Sequence, residues 1–390
     1  MTNNIKNADK EYIASTYGRF DLEIVNGRGS LVYDETGKEY IDMATGIAVN
    51  TFGFCDKEWQ EAVISQLGSF QHTSNLYYSR PCVRLAELLA ERTGCKKTFF
   101  SNSGAEANEC AIKTARKWAL ENKGEGYYNI ITLKNSFHGR TVTTLAATGQ
   151  DVFHTTFNPF TEGFLYAEAN KLDTVEKLIK ENKCGAVMME LVQGEGGVLA
   201  LNKDFVDGVA ALCKENNMLL VIDEVQTGNG RSGCLYAFQH YGINPDIVTT
   251  AKGLGGGLPI GATMFFEKTE NTLTAGTHGS TFGGNPVSCA GAVNIIERID
   301  EALLNGVKER SEYIINELSN AEGVKSVSGL GLMLGIETCR DATVVVKECM
   351  ERGVLPIKAK NKVRLLPALN IPMEQLKRAI DVIKSVAKGE

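Results

Sequence analysis

The sequence has none of the features that mark a membrane, secreted or metal-binding protein. No apolar run approaches the ~18 residues of a membrane-spanning helix, and the polar first residues, Met1 to Tyr12, lack the apolar stretch of a signal peptide. The ten cysteines are scattered, and no two follow the Cys-x-x-Cys spacing of a zinc site. We therefore expect reduced cysteines, no metal and a cytoplasmic location.

An excess of positive charge is also missing. The chain carries 41 Lys and Arg against 47 Asp and Glu, a net charge of −6, which argues against nucleic acid and anionic membranes as partners. Repeats, low-complexity tracts and Pro/Ser-rich linkers are absent too. With 390 residues, 43% of them hydrophobic, the chain can bury a large core in one or two globular domains.

Short apolar runs alternate with helical patterns between about residues 80 and 265. Candidate strands cover residues 98–100, 130–133, 186–189, 218–222, 247–250 and 261–266. Candidate helices include residues 105–120, 175–182 and 205–216. This alternation predicts an α/β domain with a mainly parallel sheet, in which ligands bind outside the carboxyl ends of the strands.

The two ends of the chain show a different pattern. Residues 29–41 resemble a β-hairpin, and residues 283–319 begin with a turn and continue as a long helical pattern. Two strand-like stretches at 324–337 and 363–366 precede a final helix that starts at Met373. We predict a large cofactor-binding α/β domain over residues 51–285 and a smaller α+β domain built from residues 1–50 and 286–390.

Lys252 and Asp223 are the most informative residues. Lys252 stands between an apolar run and a glycine cluster, at the end of a buried strand, where an ammonium is costly and a neutral or paired amine is favoured. Such an amine can form a Schiff base with an aldehyde. Asp223 ends a second apolar run, where it can cap a helix or pair with a protonated ring nitrogen. Together the two residues suit pyridoxal phosphate.

A helix start near Ser103 could bind the phosphate of such a cofactor. Ser103 and Glu106 fit a capping box, and Gly104 and Ala105 leave the first N–H groups uncovered. An ordinary capped helix is the simpler interpretation of this segment alone. The hydroxyl- and glycine-rich stretch at 278–286 could also bring donors to a phosphate, or could be a flexible connector.

Two arginines could bind substrate carboxylates. Arg140 follows the strand at 130–133, close to Phe137, which could stack on a flat ring. Core packing of Phe137 and solvation of Arg140 are the alternatives. Arg364 lies in an apolar, strand-like stretch and needs a partner, and Glu195 in a glycine-rich turn could supply it.

Taken together, these stretches resemble the class III pyridoxal-phosphate aminotransferases, which have the type I fold. The likeness begins near Tyr17 and runs almost to the end of the chain. It is carried, in order and spacing, by Asn102-Ser103-Gly104-Ala105-Glu106-Ala107-Asn108-Glu109, Phe137-His138-Gly139-Arg140-Thr141, Gln193-Gly194-Glu195-Gly196-Gly197, Asp223-Glu224-Val225-Gln226-Thr227-Gly228, Ala251-Lys252-Gly253-Leu254 and Gly279-Ser280-Thr281-Phe282-Gly283-Gly284-Asn285-Pro286.

The resemblance implies a homodimer with pyridoxal phosphate bound at the interface. Lys252 would hold the cofactor covalently and then move protons, and Asp223 would bind its ring nitrogen. The phosphate would be held by Ser103, Gly104 and Ala105 and by a hydroxyl of the second chain, the partner subunit's Thr281. Phe137 would stack on the ring. Gln226 and its neighbours Glu224 and Val225 would lie beside the ring hydroxyl.

The same resemblance implies the substrates N2-acetylornithine and 2-oxoglutarate, in arginine biosynthesis. Arg140 and Ser280 would hold the distal end of the donor, and Tyr17 is a further substrate-binding candidate. Arg364 would receive a carboxylate of 2-oxoglutarate, and Glu195 would neutralise it while the amine is bound. Such a switch meets a physical need, since one pocket accepts a terminal amine and later a dicarboxylate.

Other readings stay open at this point. The donor could instead be N-succinylornithine, ornithine, 4-aminobutyrate or an acylated lysine. A nicotinamide-dependent dehydrogenase would also use a glycine-rich loop, although no GxGxxG pattern occurs. A catalytically silent relative would lack Lys252 or Asp223, and both are present. The sequence departs from the family pattern at Gly53-Phe54-Cys55-Asp56-Lys57, which replaces Gly-His-x-His-Pro, at Leu191-Val192 and at Asn229.

Overall fold

The structure, a computed structural model, describes residues 5–390. The helices are α1 (Ile5–Tyr12), α2 (Thr45–Ala48), α3 (Lys57–Ser69), α4 (Arg80–Thr93), α5 (Gly104–Lys123), α6 (Val142–Ala147), α7 (Leu172–Glu181), α8 (Lys203–Glu215), α9 (Ala237–Tyr241), α10 (Pro286–Arg298), α11 (Glu301–Ser319), α12 (Ala342–Glu351) and α13 (Met373–Lys388). The strands are β1 (Ile24–Arg28), β2 (Leu31–Asp34), β3 (Glu39–Asp42), β4 (Lys97–Ser101), β5 (Asn129–Leu133), β6 (Phe164–Ala167), β7 (Cys184–Met189), β8 (Val192–Gln193), β9 (Leu199–Ala200), β10 (Leu219–Asp223), β11 (Ile247–Thr250), β12 (Gly261–Phe265), β13 (Val324–Leu330), β14 (Met333–Thr338), β15 (Val354–Leu355), β16 (Ile357–Ala359) and β17 (Lys362–Leu365).

The central sheet has seven strands in the order β4-β12-β11-β10-β7-β5-β6. Strand β12 runs antiparallel to both of its neighbours, β4 and β11, and the other pairs are parallel. Every residue of β7 and β10 is buried, because helices cover both faces of the sheet. The predicted α/β fold with a mainly parallel sheet is therefore confirmed.

The six predicted strands are confirmed as β4, β5, β7, β10, β11 and β12. Strand β6 was not predicted, because it is a short edge strand of four residues, three of them only half-buried, and gives a weak apolar signal. The long helical pattern predicted over residues 283–319 is present but is divided into two helices, α10 and α11. Helix α11 begins anew because Asp300 caps it by accepting the N–H of Leu303 over 2.8 Å.

A second core lies among elements from both ends of the chain. Strands β1, β2 and β3 form a sheet with β15, and β13, β14, β17 and β16 form another. Ile41 and Met43 pack in one apolar cluster with residues from α11, α12, α13, β14 and β17. The domain division at residues 285 and 286 stays a prediction, and residues 1–4 lie outside the described part.

Helix α10, which follows that predicted division, packs on α3 and α4. Its buried residues Cys289, Ala292 and Ile295 belong to the core of the central sheet. Within residues 5–390, no helix is both long and apolar enough to cross a membrane. All ten cysteines lie in this range and none is paired in a disulfide.

Candidate active site

A cavity of about 440 Å³ opens at the carboxyl ends of the parallel strands. Both Asp223, the last residue of β10, and Lys252, two residues after β11, line it. Strands β10 and β11 are paired in register, with Asp223 opposite Thr249, so the two side chains leave the sheet at the same edge. The structure thus brings together the two residues that the sequence singles out.

Lys252 begins a short 3-10 turn, and its backbone is left-handed, with φ of 45°. The turn is fixed from behind, because the hydroxyl of Thr51 donates to the carbonyl of Gly253 over 2.7 Å. Burial lowers the pKa of Lys252, and the charge of Arg364 lowers it further, against the opposing effect of nearby carboxylates. The amine therefore loses its proton more readily than an exposed lysine does.

Asp223 is held by donors on both oxygens. Its Oδ2 accepts from Nδ2 of Asn108 over 2.7 Å and from Nδ1 of His138 over 2.8 Å, and Oδ1 accepts the N–H of Val225 over 3.0 Å. Asn108 is fixed in turn, since its Oδ1 accepts from the hydroxyl of Thr249 over 2.7 Å. The carboxylate is only 3% exposed, so it is oriented before any ligand arrives.

The start of α5 forms another wall of the cavity. Ser103 Oγ accepts the N–H of Glu106 over 3.2 Å. The predicted capping box is only half formed, because the Glu106 carboxylate reaches back to the N–H of Asn102 instead, over 2.5 Å. A Cβ on Gly104 would lie 2.6 Å from Cγ1 of Val225, so glycine lets the helix start approach β10 closely. Gly104 and Ala105 at this helix start line the cavity, and the N–H groups of a first helical turn have no partner within the helix, which suits an anion.

An aromatic residue and an arginine cover the opposite side. Phe137 is half-buried, and its N–H donates to Oε2 of Glu190 over 2.8 Å. The exposed guanidinium of Arg140 lies 4.2 Å from the ring centre of Phe153 and 5.4 Å from that of Phe137. Both predicted residues line the cavity. Arg140 is thus a positive charge at its mouth.

Glu195, Gln226 and Arg364 form a chain of contacts beside the cavity. Nη1 of Arg364 donates to Oε1 of Glu195 over 2.7 Å and to Oε1 of Gln226 over 3.2 Å. Burial alone would raise the pKa of Glu195, but the Arg364 guanidinium and the Lys252 charge hold it below its ordinary value. Of these three, only Gln226 borders the cavity itself. Nε of Arg364 is buried with no partner among the described residues.

Several predicted residues lie outside the cavity in this single chain. Thr281 and Tyr17 are exposed, and Ser280 instead accepts Nδ2 of Asn102 over 3.0 Å. The side chain of Glu224 is turned away, because it accepts the N–H of Phe238 over 2.7 Å. These assignments remain predictions.

Sequence reasoning assigned no role to Glu190, His138 or Asn108, which all line the cavity. Glu190 ends the apolar run of β7 just as Asp223 ends that of β10, so the same signal could have identified it. Asn108 and His138 gave no comparable signal, because their roles depend on contacts with Asp223 across the fold.

The residues present fit pyridoxal phosphate. The close approach of Gly104 to Val225 gives a helix start suited to a phosphate, Asp223 is fixed for a protonated ring nitrogen, and Phe137 is placed for stacking. A buried lysine with a lowered pKa completes the set.

Proteins similar to this chain are aminotransferases. The family model described as aminotransferase class-III matches residues 12–387. An acetylornithine aminotransferase of Haemophilus ducreyi is 48% identical over 387 residues, covering 99% of this chain and 98% of that protein. A succinylornithine transaminase of Citrobacter koseri is 42% identical, covering 95% and 94%. An ornithine aminotransferase structure from Toxoplasma gondii, with pyridoxal phosphate in its active site, superposes with a TM-score of 0.93 at 30% identity, covering 100% and 94%.

Proposed function

The chain belongs to the class-III aminotransferase family, and from this membership we propose that it moves the terminal amino group of N2-acetylornithine to 2-oxoglutarate. The products would be N-acetylglutamate 5-semialdehyde and glutamate. It is an aminotransferase whose cofactor is pyridoxal phosphate. The observation that carries the proposal is the shared cavity of Lys252 and Asp223, together with the 48% identity to an acetylornithine aminotransferase. The dehydrogenase alternative is set aside by the family membership.

Lys252 would bond to the cofactor and move the proton. When bound, pyridoxal phosphate supplies an aldehyde for the amine and a ring that takes up the electrons of the broken C–H bond. The lowered pKa of Lys252 gives a free amine at Nζ, which can attack a carbonyl carbon. Once displaced by the substrate amine, the same Nζ would accept the proton of the substrate carbon and donate it to C4′ of the cofactor.

Asp223 would keep the ring nitrogen of the cofactor protonated. Its oxygens are already fixed by Asn108, His138 and the backbone of Val225, so it pairs with a cation without reorganising. The N–H groups of Gly104 and Ala105 would hold the phosphate, and the ring of Phe137 would cover the cofactor face. Ser103, Val225 and Gln226 would complete these contacts.

The pair of Glu195 and Arg364 suits a substrate switch. While the two are bonded, their charges cancel, and the pocket can accept a donor with a cationic or neutral end. A dicarboxylate such as 2-oxoglutarate would take the place of Glu195 on Arg364. While the amine donor is bound, Arg140 at the cavity mouth would bind the α-carboxylate of that donor.

We also propose a dimer in which the partner subunit's Thr281 completes the phosphate site. In a single chain Thr281 is exposed, and the adjacent surface carries exposed Leu76, Tyr77, Tyr78 and Phe282. Apolar patches of this kind mark interaction sites. Mixing the inactive Lys252→Ala chain with a Thr281→Ala chain should restore activity in mixed dimers, because one site then has both native residues. No recovery would contradict a shared site.

Half-reaction spectra test the donor. The holoenzyme is titrated separately with acetylornithine, succinylornithine, ornithine and 4-aminobutyrate, and the loss of the cofactor's absorption band is followed. We expect acetylornithine to give the largest second-order rate constant for this half-reaction. A preference for another donor by about tenfold or more would contradict the proposal. Succinylornithine is the second candidate, because the Citrobacter koseri relative acts on it. A cytoplasmic location and the lack of nucleic-acid or membrane partners stay predictions.

A further inference from the structure

Glu190 is a buried carboxyl group that the proposed chemistry does not use. It follows β7, is 5% exposed and borders the cavity between Asp223 and Phe137. No lysine or arginine is bonded to it among residues 5–390. A charge in this position needs compensation from hydrogen bonds. The hydrogen-bond donors that face Glu190 therefore indicate which parts of the site its carboxylate holds together.

Both of these donors are backbone N–H groups, and they come from two different loops. Oε2 accepts the N–H of Phe137, in the loop after β5, over 2.8 Å. Oε1 accepts the N–H of Gly194, in the loop after β8, over 3.3 Å. The two loops also touch directly, since a Cβ on Gly196 would lie 2.6 Å from the carbonyl oxygen of Asn135. One carboxylate thus joins the loop of the stacking ring to the loop of Glu195.

The second loop leads straight to the charge switch. A Cβ on Gly194 would lie 2.5 Å from Oε1 of Gln226, the atom that accepts from Nη1 of Arg364. Glu195, the next residue, accepts from the same Nη1. A displacement of Gly194 would therefore move Gln226 and Glu195 together relative to Arg364.

We propose, on the basis of the proposed aminotransferase function, that Glu190 is a positioning residue that sets the Glu195–Arg364 pair relative to the stacking ring of Phe137. Its two oxygens accept one N–H group each, whereas a glutamine in the same place would set its NH2 group, which is only a donor, against one of these N–H groups. Loss of the charge frees one loop. Arg364 then lacks its counter-charge while the amine donor binds.

Burial and the surrounding charges make the connection between the two loops through Glu190 sensitive to pH. Burial raises the pKa of Glu190 to about 7, with Asp223 adding to the increase and His138 and the backbone donors opposing it. Lys252, Arg364 and Glu195 are the other charged groups of this region. The link is therefore complete above neutral pH, where Glu190 is ionised.

Steady-state kinetics of Glu190→Gln test the proposal with whichever terminal-amine donor the wild-type enzyme accepts. We expect KM for that donor to rise about tenfold, the factor for one lost hydrogen bond to a charged group, with KM for 2-oxoglutarate within about twofold. Glu195→Gln should cause the same change, and the double variant should be no worse than either single variant. Additive effects, or an equal change in both KM values, would overturn the proposal.

A second measurement does not depend on catalysis. Hydrogen–deuterium exchange of the cofactor-free chain should be faster in Glu190→Gln over residues 134–138 and 193–196. Asp42→Asn is the matched control, because Asp42 is also buried, also accepts backbone N–H groups, from Ala44 and Thr45, and also has a raised pKa, about 6. It should leave exchange in both loops unchanged. Unchanged exchange in Glu190→Gln would overturn the proposal. A wild-type enzyme that transfers no amino group would instead contradict the proposed function.

Discussion

Arg364 donates to Glu195 through a single nitrogen, Nη1, over 2.7 Å, although its guanidinium could form a two-point contact. The arginine is 2% exposed, while the side chain of Glu195 is 31% exposed. The carboxylate thus stands on the solvent side of a fixed cation. This asymmetry suits an exchangeable counter-ion, because Glu195 can leave while Arg364 stays in place.

Replacing Glu195 should therefore affect the two substrates differently. In Glu195→Gln, Arg364 keeps its charge without a counter-charge, so the pocket repels a cationic donor and still accepts a dicarboxylate. We expect KM for ornithine-type donors to rise about tenfold and KM for 2-oxoglutarate to stay within about twofold. Separate half-reaction titrations measure both. Equal losses on both sides would show that the pair is only structural.

Lys252→Ala should remove covalent cofactor attachment and nearly all activity. Without Nζ no other buried amine borders the cavity among the described residues, so kcat should fall by about a thousandfold, as for lost acid–base catalysis. Borohydride reduction followed by peptide mass analysis should find the cofactor on Lys252 in the wild type only. Substantial transaminase activity in the variant would refute the assigned role.

The sequence predicted the fold well where local signals and tertiary contacts agree. Largely apolar runs marked the strands β5, β7, β10 and β11, since a strand covered on both faces is apolar along most of its length. The edge strand β6 lacks that requirement and was missed. The short element α2 (Thr45–Ala48), whose backbone is a left-handed turn, was also not predicted, because left-handed φ values are rare at β-branched residues such as Thr45 and Ile47.

That turn shows why the rest could not be predicted. A left-handed backbone at a β-branched residue persists only where the surroundings fix it. Here Asp42 accepts the N–H groups of Ala44 and Thr45, and the hydroxyl of Thr45 donates to the carbonyl of Leu366 over 2.6 Å. The last contact spans 321 positions in sequence. Asn108 and His138, the side-chain partners of Asp223, lie 115 and 85 positions away from it, and Phe137 lies 53 positions from Glu190, so local pattern does not reveal these contacts.

Gly104→Ala should weaken cofactor binding through a steric contact. The added methyl group would meet both methyl groups of Val225, at 2.6 and 2.9 Å, and push the helix start out of place. We expect the dissociation constant of pyridoxal phosphate to rise about tenfold, the cost of a modest overpacking. Fluorescence titration of the cofactor-free chain measures it.

Two further variants control that experiment. Gly104→Ala with Val225→Ala should recover most of the affinity, because the second change removes the obstructing methyl groups. Gly68→Ala lies inside α3 with nothing within 4 Å of its added methyl group, so it should leave affinity unchanged. An equal loss of affinity in Gly68→Ala would show that the effect of Gly104→Ala is not local.

Glu224→Gln should change how stability depends on pH. Burial raises the pKa of Glu224 to about 7, whereas in the unfolded chain it has an ordinary value near 4.5. The native state binds this proton more tightly than the unfolded chain does. The contribution of Glu224 to the free energy of unfolding is therefore full below pH 4.5 and is lost as pH rises through 7. The loss amounts to about 3 kcal/mol. Glutamine cannot ionise and imitates the protonated acid, with an oxygen for the N–H of Phe238 and an amide for the hydroxyl of Thr227.

Urea unfolding of wild type and variant at equal protein concentration, from pH 4.5 to 8, measures this difference. The free energies of unfolding of the two proteins should be nearly equal at pH 4.5, and Glu224→Gln should become progressively more stable than the wild type toward pH 8. Glu348→Gln supplies the opposite sign, because Arg340 lowers the pKa of Glu348, so that variant should lose stability as pH rises. If the free energies of unfolding of wild type and Glu224→Gln keep a constant difference from pH 4.5 to 8, the pKa of Glu224 is not raised in the native state. The carboxylate would then be ionised over this range and would need a cation beyond its hydrogen bonds to Thr227 and Phe238.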